Sequence, residues 1–313
     1  MTQITVEIAD RVDKALARAY PQAGRRQLSE LFDEGCVKVA GKRAKKGDRV
    51  VAGDVIELSK LPVSGAALRP LPDPDADAKI AILVERSDLI VIAKPAGMPS
   101  QPLRAGELGT VANALAHRYP ECAAIGEDPR AKEMGRPTGP PVVDPRDGGL
   151  AHRLDIGTSG VLVAARSLES YRRLREAFGD GLVAKTYLAI TEGRPVSREC
   201  DLPLFQRGKK VVVDQTGGLA AYTAFEVVSA TETHALVRCT AQTGRMHQVR
   251  AHLANVGSPI VGDTLYGATP DGDGFYLHAA TIKIPLAEPL DPLDVEAPLP
   301  DRFTAALARF GLR

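Results

Sequence analysis

Residues 151–165 read AHRLDIGTSGVLVAA. The segment from Gly160 to Ala165 is small or apolar without a break, the pattern of a strand buried inside a sheet. The residues before it are mostly polar or small, so a polar turn feeds a buried strand with no spacer. His152, Arg153 and Asp155 flank the apolar Leu154 and have reason to lie toward a surface or a cleft. Gly157, Thr158, Ser159 and Gly160 allow the tight turn between them and the strand. Asp155 is therefore held at the edge of a buried sheet, on the rigid support that a reactive carboxylate needs. On these residues alone the turn-forming aspartate beside an arginine is the favoured reading.

Strand and helix patterns alternate around this segment. KIAILVERSDLIVIAKPAG predicts two strands joined by a tight turn at Arg86–Asp88, and TVANALAHRY predicts a short helix. SLESYRRLREAFGDG is helical, with Leu168, Tyr171, Leu174 and Phe178 on its apolar stripe. Strands are expected at VAKTYLAITEG, AYTAFEVVS and HALVRCTAQ. The last clear helix is GRMHQVRAHLANVG, with Met246, Val249, Leu253 and Val256 toward the core. The loop from 125 to 149 is rich in Pro and Gly, and loops of that length in a compact domain are usually functional or disordered.

The N-terminal segment has a different character. RVDKALARAY and GRRQLSELFDEG show helical spacing, and CVKVAG and DVIELS alternate like short strands. Residues 1–60 thus read as a small module, 61–79 as a Pro- and Asp-rich linker, and 80–313 as the main domain. The whole chain has a formal net charge of +1, but residues 1–60 hold 12 Lys/Arg against 9 Asp/Glu, a net of +3. Most of it comes from KVAGKRAKKGDR, a cluster that suits phosphate contacts and suits a solvated loop equally well. Arg25, Arg26, Lys42, Arg43, Lys45 and Lys46 are the candidate phosphate contacts.

Several classes of function are disfavoured. Aromatic residues make up 4% and Trp is absent, which leaves little for an aromatic sugar platform. The four Cys form no CxxC pair, so buried reduced thiols are expected rather than a zinc site or disulfides. His247 and His252 are five apart, not the four of a helical metal pair. GCVKVAGK misses the phosphate-binding loop by one residue, and GTSGV is not a nucleophile elbow. No glycine-rich fingerprint follows a strand, so no cofactor and no metal are expected. The absence of an 18-residue apolar run or a signal-peptide pattern predicts a cytoplasmic protein away from membranes. Nothing suggests an exposed apolar interface, and a monomer is expected.

Two further segments bring polar side chains toward the same place. In AKTYLA, Leu188 and Ile190 share one face of a strand, so Tyr187 and Lys185 share the other. In the last helix Arg245, Gln248 and His252 fall on one face, with His247 and Arg250 as a neighbouring polar pair. An arginine in the first turn of that helix could present its guanidinium to a carboxylate.

HRLDIGTSG, KTYLA, TGRMHQVRAHL with GSPIVGDTLYG, and the late YLHA occur in the order typical of the RluA-type RNA pseudouridine synthases, and LIVIAKPAGMPS upstream is similar to that family's first strand segment. The likeness covers about residues 80–290. Residues 11–58 resemble the small S-four-like RNA-binding domain. The resemblance implies an α+β fold with a central mixed, mostly antiparallel sheet flanked by helices and loops. It implies that Asp155 is the essential aspartate, that Tyr187 packs against the target base, and that Arg245 pairs with the aspartate. It also implies that Arg153 helps fill the gap left by a flipped nucleotide, with His152 beside it at the RNA. Ile156–Gly157 and Met246 depart from residues usual in the family, and the 125–149 loop is longer than expected.

The implied chemistry suits these residues. Converting uridine to pseudouridine breaks the N1–C1′ bond, turns the uracil and rejoins it through C5, with no redox change. The carboxylate must be ionised, to attack the anomeric carbon or to remove a sugar proton, and a guanidinium partner favours that form. The uracil must leave its stack, and stacking on an aromatic recovers roughly 1–3 kcal/mol. The expected partner is structured RNA, with ribosomal RNA of the large subunit favoured and transfer RNA the alternative. The competing readings are a non-catalytic RNA-binding or ribosome-assembly protein on the same scaffold, and a nucleoside hydrolase. The latter class usually pairs two carboxylates, and no second one accompanies these motifs.

Overall fold

TQITV alternates polar residues with Ile4 and Val6, and in the computed structural model it forms strand β1 (Thr2–Thr5), an element beyond the helices and strands expected of the N-terminal module. The structure describes residues 2–20, 25–61, 71–125, 144–286 and 290–313. They divide into two compact units that meet in sequence at Pro70 and Leu71. In the first unit β2 (Asp10–Arg11), α1 (Val12–Ala19) and α2 (Arg25–Asp33) follow β1. Then come β3 (Val37–Val39), β4 (Lys42–Arg43), β5 (Arg49–Val50) and β6 (Val55–Leu58). A sheet in the order β1-β6-β3-β4 carries the helices, and β2 pairs with β5. Leu16, Leu28, Leu31, Phe32, Ile56 and Leu58 form the core.

The basic cluster of this unit is divided in its duties. Arg43 stays exposed, but its Nη2 donates to the carbonyls of Phe32 (3.1 Å) and Asp33 (2.9 Å) at the end of α2. Gly35 sits at φ +70°, and a Cβ there would stand 2.9 Å from Arg43 Cζ. Arg43 is thus occupied as a helix cap, a role its place in a charge run does not reveal. Lys42 and Lys45 are exposed, and Lys46 reaches Ser29 Oγ at 3.5 Å. Arg25 and Arg26 open α2, and their side chains lie outside the described residues.

In the second unit β7 (Ala81–Glu85) and β8 (Leu89–Lys94) form a hairpin whose turn is held by Arg86 on Asp88 at 2.7–2.8 Å. Helix α3 (Val111–Arg118) starts at a reciprocal cap between Thr110 and Asn113, and α4 (Pro120–Ala124) begins on its proline. Residues 71–79, read as linker, are fastened to this unit: Asp73 O accepts from Asn113 Nδ2 (2.7 Å) and Asp75 Oδ2 accepts from Gly109 N–H (2.9 Å). Residues 62–70 and most of the 125–149 loop lie outside the described residues.

Every residue of β9 (Ser159–Ala165) is buried. Val161 and Val163 pack on Tyr171 and Leu174 of α5 (Leu168–Gly179), while Leu162 and Ala164 meet Val111 and Leu115 of α3. Cover on both faces is why its sequence shows no alternation. The sheet continues with β10 (Ala184–Glu192), β11 (Glu199–Cys200), β14 (Thr223–Ala230) and β15 (His234–Ala241). A small hairpin of β12 (Leu204–Arg207) and β13 (Lys210–Val213) lies between β11 and β14 in the chain. Helix α6 (Gln248–Asn255), β16 (Leu277–Ile284), β17 (Leu293–Glu296) and α7 (Asp301–Arg309) complete the unit.

The sheet order is β11-β14-β15-β10-β16-β9-β8-β7, with β17 beside β16, and among the described strands only the β16–β9 pair is parallel. This is the mixed, mostly antiparallel α+β sheet that was expected. Val249, Leu253 and Val256 seat α6 on the face formed by Ala189, Phe225, Val237 and Cys239. Cys122, Cys200 and Cys239 are buried free thiols, whereas Cys36 is half-buried. No helix among the described residues is long and apolar enough to cross a membrane.

Candidate functional site

The parallel pairing of β9 and β16 is confined to their first residues, Ser159 opposite His278 and Gly160 opposite Ala279. Only glycine permits it: Gly160 has φ +117°, and a Cβ there would lie 2.1 Å from the Ala279 carbonyl oxygen. The HRLD turn is thereby set beside the start of β16 and near the irregularity of β10 at Thr186/Tyr187. Thr158 N–H closes the turn on Asp155 O at 3.0 Å.

Residues 94–100 tie the turn down. Ser100 Oγ donates to Leu154 O (2.9 Å) and accepts from Leu154 N–H (3.1 Å), and Gly97 N–H donates to Ile156 O (2.8 Å). The Lys94 amine, 1% exposed, donates to the carbonyls of Pro95 (2.9 Å), Met98 (2.5 Å) and Ile156 (3.0 Å). Burial lowers its pKa to about 7 against the opposing pull of Asp155. Three carbonyl acceptors match the three N–H donors of the ammonium form.

Asp155 is paired, but with Arg250. The Arg250 Nη1 donates to Asp155 Oδ2 at 2.8 Å. Its other edge grips Asp263, Nε to Oδ2 at 2.7 Å and Nη2 to Oδ1 at 2.9 Å, the bidentate geometry in which arginine binds carboxylates most tightly. Phe275 lies 4.4 Å and Tyr266 5.1 Å from the guanidinium carbon, close enough for cation–π contact. Burial disfavours the charge on Arg250, yet the two carboxylates outweigh it and raise its pKa. His247 Nε2 lies 3.8 Å from Asp155 Oδ2, and its Nδ1 shares a 3.1 Å hydrogen bond with Tyr266 OH. Burial lowers the His247 pKa despite the nearby Asp155, which favours the neutral ring. Among the described residues these contacts fall on Oδ2, and Oδ1 has no protein partner.

Arg245, expected to pair with Asp155, does not. It is exposed and its Nε donates to Ala220 O at 3.0 Å. The reason is local: His247 adopts φ +53°, so helical geometry starts at Gln248 and residues 244–246 are not its first turn. The helical phase extrapolated through them is lost, and Met246 is 37% exposed instead of packed in the core. Gln248 and His252 both hydrogen-bond Thr223 Oγ1 (3.0 and 2.9 Å), anchoring α6 to β14 while Arg250 projects toward Asp155.

His152 is also placed differently from the expectation. Its Nε2 accepts from Val163 N–H at 3.2 Å and its ring lies 4.7 Å from that of Phe178. Burial, with Lys185 and Arg175 nearby, lowers its pKa to about 3. It holds the strand behind the turn. Arg153 is exposed at the cleft. Tyr187 lines the same cleft on β10, opposite Cys239 and Ala279. Burial raises the pKa of its phenol, and the charge of Asp155 adds to the effect. The cleft is open and takes in Arg153, Asp155, Thr158, Tyr187, Gly244 and Arg250.

Asp263 and Lys94 received no role from sequence. Asp263 stands in GSPIVGDTLYG, where an acidic residue directly after an apolar run was the available signal of a buried charge seeking a partner. Lys94 ends the apolar strand LIVIAK and carried the same signal.

The family described as RNA pseudouridylate synthase matches residues 88–255, and the S4 domain matches residues 10–56. A ribosomal large subunit pseudouridine synthase D of Xanthomonas campestris pv. campestris is 31% identical over 309 residues, covering 93% of this chain and 86% of the relative. The protein of the same name from Xylella fastidiosa is 32% identical, over 95% and 88% of the two chains. Among solved structures, human RNA pseudouridylate synthase domain containing 4 matches with a TM-score of 0.55 and 26% identity, over 74% of this chain and 94% of that one. With the family's motifs gathered on one cleft and a match across more than half its length, the chain belongs to the RNA pseudouridylate synthases.

Proposed function

We propose that this protein converts uridine to pseudouridine in large-subunit ribosomal RNA, with Asp155 as the reacting carboxylate. The observation that carries the reading is the Asp155–Arg250 pair at 2.8 Å in a cleft lined by Tyr187. The guanidinium holds one carboxylate oxygen and leaves the other for the sugar. The uridine flips into the cleft, Tyr187 packs against the uracil, and the exposed Arg153 occupies the space it leaves in the RNA. The N1–C1′ bond breaks, the uracil turns within the cleft, C5 bonds to C1′, and the C5 proton leaves while N1 gains one. Product and substrate are isomers. The large-subunit RNA is favoured over transfer RNA by the names of the relatives that cover nearly the whole chain. The S4 domain, with Lys42 and Lys45 exposed, adds phosphate contacts.

Pseudouridine mapping of total RNA tests the reading in cells that carry the protein, lack it, or carry Asp155→Asn. A large-subunit site present only with the intact protein is expected. A site that persists with Asp155→Asn removes Asp155 from the chemistry, and a site confined to transfer RNA reassigns the substrate.

A further inference from the structure

Arg245 at the cleft and the buried Lys185 behind Thr243 and Gly244 have no acidic partner among the described residues. Lys185 follows the first residue of β10, is 9% exposed, and donates from Nζ to Thr243 O at 3.1 Å. Arg245, two residues beyond Thr243, uses Nε on Ala220 O, and its two Nη groups have no partner among the described residues. Between them in the chain lies Gly244, exposed and lining the cleft. A Cβ on Gly244 would stand 3.3 Å from Lys185 Nζ, so a side chain there would crowd the ammonium from the side of the cleft-lining Gly244. Gly244 does not adopt positive φ, so the backbone there does not demand glycine.

The electrostatics run the same way. Burial, followed by the charge of Arg245, lowers the Lys185 pKa to about 8. Two like charges held near each other, one of them nearly buried, cost stability unless an anion joins them. The Lys185 ammonium also lies 5.9 Å from the Phe178 ring, a contact that supports a cation without neutralising it.

We infer that Lys185, Gly244 and Arg245 form a seat for one backbone phosphate of the bound RNA, adjacent to the nucleotide held in the cleft. The seat is a binding and positioning device, and it rests on the reading of this cleft as an RNA site. A phosphate there accepts from Lys185 Nζ and from the planar fork of Arg245, the geometry in which arginine binds phosphate most specifically. It fixes the register of the strand, so that one nucleotide only stands opposite Tyr187 and Asp155.

The test is binding by the full-length Asp155→Asn protein, so that turnover plays no part. The probe is a synthetic RNA hairpin with an all-uridine loop, carrying a single neutral methylphosphonate linkage at each loop position in turn. Lys185→Gln and Arg245→Gln should each weaken binding roughly three- to tenfold, and each should lower the salt slope by about one phosphate contact. Gly244→Ala, which keeps every charge, should weaken binding as well. At one linkage the methylphosphonate should cost the parent protein affinity and cost Lys185→Gln none further, which a merely structural lysine would not produce. Unchanged salt slopes, no linkage coupled to Lys185 or Arg245, or no binding of the unmodified hairpin by the Asp155→Asn protein at low salt each overturn the inference. Because turnover is not measured, a protein that modifies no cellular RNA could still pass, and an active one could still fail.

Discussion

Arg250 and not the expected Arg245 pairs with Asp155, and substituting each in turn exposes the difference. The Asp263 side chain is 1% exposed and both its oxygens bond Arg250. Arg250→Gln therefore leaves a buried carboxylate without its cation, which costs about 3–5 kcal/mol. At roughly 2–4 °C per kcal/mol for a unit of this size, the melting temperature should fall by about 6–20 °C. Arg245→Gln removes one hydrogen bond from an exposed side chain, worth about 0.5–1.5 kcal/mol at most. Urea unfolding measures both. The double variant Arg250→Gln/Asp263→Asn removes the orphan charge and should recover most of the lost stability. Single-turnover pseudouridine formation by that refolded double variant should still be slow, because Asp155 has lost its partner. If Arg245→Gln abolished the chemical step under saturating RNA while Arg250→Gln left both stability and rate near the parent, the Asp155–Arg250 pairing would be refuted.

Three further outcomes follow from particular contacts. Gly160→Ala must push the β9–β16 pairing apart at a 2.1 Å contact and adopt an unfavourable φ, so a loss of about 2–6 kcal/mol is expected in urea unfolding; a stable, active variant would contradict the close approach. His152 accepts a proton near pH 6.5 when unfolded but only at about 3 when folded, so its contribution is intact above pH 6.5 and is lost as pH falls toward 3. About 1–2 kcal/mol should disappear between pH 6.5 and 5, and His152→Gln should flatten that part of the stability curve; an equal slope in parent and variant would exclude the assignment. Replacing Lys42 and Lys45 together by Gln should shallow the salt dependence of RNA binding by about one to two contacts without altering urea stability, and an unchanged slope would mean that these lysines are merely solvated.

Much of the second unit could be read in advance because its signals are local. An unbroken apolar run such as GVLVAA has only one favourable environment, between two covering layers, and α3 and α5 supply them. Hairpin β7–β8 and helix α5 were equally legible from a turn and a stripe. The first strand of the small unit and helix α7 escaped because each is short and becomes a strand or helix chiefly through partners distant in sequence: β1 pairs with β6, and Phe303 of α7 packs against Tyr276. At the site, Asp155 and Tyr187 stood out because a polar or aromatic side chain interrupted a strong pattern.

The choice between Arg245 and Arg250 was of another kind. Sequence by itself determined the order of the motifs and the turn that carries Asp155, and the family resemblance implied an arginine from the segment after β15. Which arginine answers was decided by one backbone angle, the left-handed φ of His247, which resets the phase of α6. It was decided also by Asp263, thirteen residues beyond Arg250, whose buried carboxylate fixes the guanidinium from behind. A buried charge goes where its counter-charges converge, and that convergence exists only once the strands and helix have packed.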